Sequence, residues 1–77
     1  MNVSKAFSLV LKHNRHKVGF SQEELAYKCN LDRTYISLLE RGKRNPTLNV
    51  LFSISYSLNL TTSELMKQIE DIMYINA

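Results

Sequence analysis

The sequence predicts an all-α fold of five short helices, and three observations carry that prediction. Apolar residues recur at three- and four-residue spacing, and no segment sustains the two-residue alternation of a half-buried strand. Two Ser/Thr-x-x-Glu boxes, Ser21 to Glu24 and Thr61 to Glu64, mark helix starts with reciprocal end-capping bonds. Gly19, Gly42 and Pro46 are the only glycines and the only proline, and they punctuate the chain.

The first helix is expected from about Ser4 to Lys17. Val3, Ala6, Phe7, Val10, Leu11 and Asn14 share one face, Lys5, Lys12 and His16 lie away from it, and Gly19 ends it. Ser21 caps the second helix, with Phe20 and Leu25 as its hydrophobic staple, and this helix ends near Asn30. Asp32 is placed to cap the third helix, which closes at Gly42 in a left-handed turn. Thr47 caps a fourth that is expected to bury Leu48, Leu51, Ile54 and Leu58. The fifth runs from the Thr61 box, stapled by Leu60 and Leu65, to about Tyr74.

Seventy-seven residues suit one domain, spanning 1–77. A chain this short buries only about 60–65 % of its unfolded surface and gains from a partner. An apolar share of 44 % is too high for a disordered chain. Cys29 is the single cysteine, so there is no internal disulfide framework. The N-terminus lacks an apolar leader core, and no apolar run reaches the ~18 residues of a membrane span. A cytoplasmic protein with no membrane partner is expected.

Charge is unevenly spread. Residues 1–45 hold nine Lys/Arg and four acids, a balance of +5, whereas residues 46–77 hold one lysine and three acids, a balance of −2. A basic first part suits a polyanionic partner.

The informative stretch is residues 22–41, two short helices joined by a tight corner. Ala26 offers a flat crossing surface. Leu25, Cys29, Leu31, Ile36 and Leu39 fill the wedge behind it, and Asn30 tolerates the left-handed corner. Once those residues are buried, Asp32, Arg33, Thr34, Ser37, Leu38 and Arg41 face outward, with Tyr35 at their edge. Arginine donates in pairs to guanine O6 and N7, and a threonine methyl meets a thymine methyl, so this face suits a DNA major groove.

Residues 22–46 resemble the helix-turn-helix of phage-repressor-like (Cro/C1, XRE) transcription regulators. Gln22, Leu25-Ala26, Leu31, Ile36-Ser37, Leu39-Glu40, Gly42 and Pro46 carry the likeness. The run Asn30-Leu31-Asp32-Arg33-Thr34-Tyr35-Ile36-Ser37, with Glu40-Arg41-Gly42 and Arg44-Asn45-Pro46, is similar to controller proteins of restriction-modification systems. Asn30 stands where the family usually has glycine, and Leu38 where a polar or tiny residue is usual.

The resemblance implies a compact five-helix, lambda-repressor-like DNA-binding domain. It makes the third helix the recognition helix, with Arg33, Thr34, Tyr35 and Ser37 reaching bases. It assigns Ser21, Gln22, Lys28, Lys43, Arg44 and Asn45 to the phosphate backbone, the first two aided by a helix N-terminus. For Tyr35, packing against the second helix and contact to a phosphate stand level, ahead of direct base contact. Glu40 is expected to form an internal salt bridge with a basic residue such as Arg15. Glu23 is open to two readings: an acid that favours the helix dipole, or a contact to RNA polymerase of the kind acidic patches make in some activating repressors.

His13 and His16 lie three apart, but no ligand spacing completes a metal set with Cys29, which is read as a small buried hydrophobe. No nucleophile–base pair or phosphate-cradling loop is visible, so neither catalysis nor a cofactor is expected. Phe52, Tyr56, Leu65, Met66, Ile69 and Met73 are apolar beyond what one small core needs. They are assigned to a two-fold dimer, with a dimerisation helix at about 62–74. The leading reading is therefore a regulator that binds a near-palindromic operator in double-stranded DNA as a homodimer, of the restriction-modification controller kind. The alternatives are a phage or plasmid repressor, an antitoxin-type regulator acting through protein partners, and an RNA-binding helix-turn-helix. The last lacks an aromatic stacking platform.

Overall fold

The computed structural model describes residues 1–75. Five helices follow in order: α1 (Val3–Val18), α2 (Gln22–Cys29), α3 (Arg33–Glu40), α4 (Leu48–Ser57) and α5 (Thr62–Ile75). Among the described residues there is no strand. α1 packs on α3 and α5, α2 packs on α3 and α4, and α4 packs on α5. One cluster of buried side chains, built from Phe7, Leu11, Leu25, Ile36, Leu39, Ile54, Leu58 and Leu65 among others, is fed by all five helices.

Side-chain caps open four of the helices. Asn2 Oδ1 accepts from Lys5 N at 2.8 Å, an earlier start for α1 than Ser4. Ser21 and Glu24 form the expected reciprocal box, as do Thr61 and Glu64, and Thr47 Oγ1 accepts from Val50 N at 3.2 Å. Asp32 holds the capping position of α3, yet its side chain makes no capping bond.

Four helices end by the same device. A backbone N–H just past the helix reaches back into its last turn: Phe20 N to Arg15 O, Leu31 N to Ala26 O, Lys43 N to Leu38 O and Leu60 N to Ser55 O, all within 2.8–3.1 Å. The residue immediately before each of these donors has a positive φ: Gly19, Asn30, Gly42 and Asn59. Asn30, at φ 55°, makes the corner between α2 and α3 as expected, and Asn59, at φ 61°, is a second asparagine in that role. Phe20, Leu31 and Leu60 then turn onto the core.

Two residues assigned to buried faces are exposed. Val3 sits in the first turn of α1, beyond the edge of the core, on the rim of a shallow groove with Phe7, Pro46 and Met66. Leu48 opens α4 on the solvent side, with Phe52 and Tyr56 four and eight residues on.

Glu24 and Glu64 are held below the ordinary carboxylate value. The backbone N–H of Ser21 and of Thr61 is the first cause, and the hydroxyl of the same residue the second. A pKa depressed on folding contributes stability above the unfolded carboxylate value, and that contribution is lost as pH falls through the folded value. A Glu24→Gln/Glu64→Gln variant should therefore lose less of its Tm than wild type between about pH 6 and about pH 3. Parallel Tm–pH curves would refute this.

Candidate nucleic-acid interface

α3 turns Ile36 and Leu39 inward, and Ala26 of α2 is buried at the crossing. These three side chains fix the rotation of α3. Arg33, Thr34 and Arg41 are consequently exposed, and Ser37 and Leu38 half-exposed, on the opposite side. Tyr35 is half-buried with its ring against the core cluster, so the packing alternative describes the ring.

Among the described residues, Arg33, Arg41, Lys43 and Arg44 have no salt-bridge partner. Among the described residues the ion pairs are Arg15–Glu40 and Lys67–Asp71. Four cations on α3 and the loop after it are thus available to an outside anion. Asn45 closes that loop against α1 by accepting a hydrogen bond from the Ser4 hydroxyl. Gly42, at φ 70°, permits the reversal that carries Lys43 and Arg44 out beyond the end of α3.

At the head of α2, Ser21 Oγ accepts from Glu24 N at 3.0 Å, and its hydroxyl also stabilises the Glu24 carboxylate. Gln22 is half-buried. Its Nε2 donates to Glu40 Oε1 at 3.0 Å, a contact between residues eighteen apart that no local pattern signals. The Ser4–Asn45 bond, forty-one residues apart, was equally hidden. The Arg15–Glu40 pair itself is present as expected, buried and bidentate, at 2.5 and 2.9 Å.

Lys28 lines a surface hollow of α2 with Ser21, Glu23, Glu24 and Tyr27. Lys28 lies two positions past Ala26, about 200° round α2. Its Nζ is 5.1 Å from the centre of the Phe20 ring, a cation–π arrangement, near Tyr56 and Asn59.

The dimer assignment needs correction. Leu65 and Ile69 are buried in the protomer's own core, where α5 meets α1 and α4, and are unavailable to a second copy. Met73 is half-buried against the same core, and Met66 is exposed. Phe52 at 61 % and Tyr56 at 84 % exposure form one stripe on α4 with Leu48 at 75 %, and Tyr74 and Ile75 at the end of α5 are exposed as well. Cys29 Sγ is buried 3.4 Å from Ser57 Oγ, while His13 and His16 are exposed on α1. Among the described residues no three His, Cys, Asp or Glu side chains gather as a metal site. None of the helices described is long and apolar enough to cross a membrane.

Comparison with known proteins places this geometry. Residues 11–65 match the family model described as helix-turn-helix. The control protein C.MunI of Mycoplasma sp is 48 % identical over 59 residues, which cover 77 % of this chain and 80 % of that protein. The control protein C.BamHI of Bacillus amyloliquefaciens is 46 % identical over 50 residues, covering 65 % of this chain and 62 % of that one. Among solved structures, the controller protein C.Esp1396I bound to a 19 base pair DNA duplex superposes with a TM-score of 0.86 at 37 % identity, covering 95 % of this chain and 97 % of that chain.

Proposed function

Because the chain belongs to the helix-turn-helix family, we propose that it is a DNA-binding transcription regulator of the restriction-modification controller kind, acting in the cytoplasm as a homodimer on a near-palindromic operator. The observation that carries this reading is the outward face of α3: an unpaired Arg33, an exposed Thr34 and a half-exposed Ser37, rotated away from the core by Ala26, Ile36 and Leu39. Arg33 and Thr34 open the helix and reach base edges, and Ser37 comes one turn later. Lys43, Arg44 and Asn45 hold the backbone beyond one end of the helix. Ser21 and Gln22 hold it from the head of α2. Tyr35 supports α3 from its inner edge and offers its phenol at the margin of the contact. Glu23, free of the capping box and exposed, is the side chain at the head of α2 available to a polymerase subunit.

A single module of this size makes few base contacts, and two-fold pairing doubles them. The Leu48–Phe52–Tyr56 stripe with Met66 supplies an apolar surface for that pairing. Half-sites one helical turn apart, about 34 Å, would suit the pair of recognition helices.

Selection of bound duplexes from a random pool tests the reading directly. A single enriched near-palindrome is expected, and no enrichment over competitor at moderate salt would refute it. On the selected duplex, Arg33→Ala should cost about 1–3 kcal/mol and relax the preference at its base pair. Arg44→Ala should instead weaken specific and random duplexes alike and lower the salt slope by about one. Equal losses on both duplexes for both variants would remove Arg33 from base reading.

A further inference from the structure

Arg15, Gln22 and Glu40 come from three different helices and meet in one hydrogen-bonded cluster. Glu40 Oε2 accepts from Arg15 Nε at 2.5 Å, and Oε1 accepts from both Arg15 Nη2 at 2.9 Å and Gln22 Nε2 at 3.0 Å. Arg15 Nη1 donates at 2.8 Å to the carbonyl of Phe20, the residue that leads into α2. An ion pair that only braced α1 against α3 would need no glutamine. The third partner is what calls for an explanation.

A carboxamide is planar and carries two N–H donors on one nitrogen. When Glu40 takes one of them, the direction of the other is set as well. A free glutamine at the head of a helix samples many rotamers and gives up that freedom on binding. Here the choice is made before any ligand arrives. The anchor is a carboxylate, which would by itself repel a phosphate brought close to Gln22. The Arg15 guanidinium, locked onto it by two hydrogen bonds, cancels that charge.

We propose that Glu40 is a positioning residue for DNA binding, holding the Gln22 carboxamide so that its second N–H is aimed at a backbone phosphate, with Arg15 neutralising the carboxylate behind it. This rests on the reading of Gln22 as a phosphate contact. Glu40 itself touches no DNA. It ties the far end of the recognition helix to the head of α2, so the two elements that meet DNA share one register.

The test must separate positioning from bracing. An Arg15→Met/Glu40→Met variant replaces the buried pair by apolar side chains of similar length, leaves net charge unchanged, and is the kind of exchange cores tolerate. The probe is the duplex the wild type selects, together with a set in which one phosphate at a time is a neutral methylphosphonate. In wild type, one such replacement at the α2 contact should cost about tenfold in affinity. Gln22→Ala should lose about tenfold on the unmodified duplex and become insensitive to that replacement. The double variant should melt cooperatively and behave as Gln22→Ala does, losing the same phosphate response.

Wild-type affinity with a wild-type phosphate profile in the double variant overturns the proposal and leaves the DNA-binding reading standing. Failure of wild type to prefer any duplex would sink that reading instead. Should the double variant not fold, the side-chain amide resonances of wild-type Gln22 decide. One proton shifted and protected in the free protein, with the other moving when DNA is added, supports the proposal. An averaged, exposed-type pair in the free protein overturns it.

Discussion

Replacing Arg15 alone by methionine should cost about 3–5 kcal/mol, because it strands a carboxylate almost wholly hidden from water. Glu40 is 3 % exposed and Arg15 8 %, and Nε, Nη1 and Nη2 of the guanidinium each face an acceptor or the His16 ring. A 77-residue chain has only about 4–12 kcal/mol of stability to lose. The single variant should therefore be partly unfolded at 25 °C, or melt well below wild type, by circular dichroism. The contrast with the Arg15→Met/Glu40→Met pair sharpens the test. Removing both ions should be far milder than removing one. A single variant that melts within a few degrees of wild type would show that water reaches the pair.

Phe52→Asp should separate the dimer while sparing the fold. Phe52 lies in mid-stripe on α4 and is exposed in the protomer, so an aspartate there costs the isolated chain within about 0.5 kcal/mol. Near a two-fold axis the same change sets two carboxylates close to one another inside an apolar contact. The expected outcome is a monomer by sedimentation and a loss of roughly 10²–10⁴-fold in operator affinity, since the second module no longer binds at high effective concentration. Leu65→Asp is the control. It should unfold the chain, because Leu65 is buried within one protomer. Wild type sedimenting as a monomer, or Phe52→Asp staying dimeric, would move the interface off α4.

The sequence was most legible where chemistry is local. Ser21–Glu24, Thr61–Glu64, Thr47 and Gly42 act within a few residues of themselves, and each does what its spacing implies. Asn30 adopts the left-handed corner for the same reason. The rotation of α3 was legible too, because Ala26, Ile36 and Leu39 leave a single way to bury apolar area. What periodicity could not resolve is which side of a broad apolar stripe meets its own chain. Leu65 and Ile69 looked equivalent to Phe52 and Tyr56. The angle at which α5 crosses α1 and α4 buries the former pair, and no residue on either helix announces that angle. The surroundings of Lys28 were hidden for a related reason. This lysine lies on the flank of α2 that looks toward Phe20. Gln22–Glu40 and Ser4–Asn45 join segments whose separation carries no pattern.

The four matching helix exits differ in the side chain that comes after the turn. Beyond α1, α2 and α4 it is a phenylalanine or a leucine folded onto the core, and beyond α3 it is Lys43, out in water. Three corners are thus bolted by oil, while the fourth is held by polar latches and by the close approach of Gly42 to α1. Its latches, Lys43 N to the Leu38 carbonyl and Asn45 to Ser4, are reached by solvent. On the proposed reading, Lys43 and Arg44 meet the sugar–phosphate rails from the one corner without an apolar bolt, while α3 keeps the angle its buried side dictates.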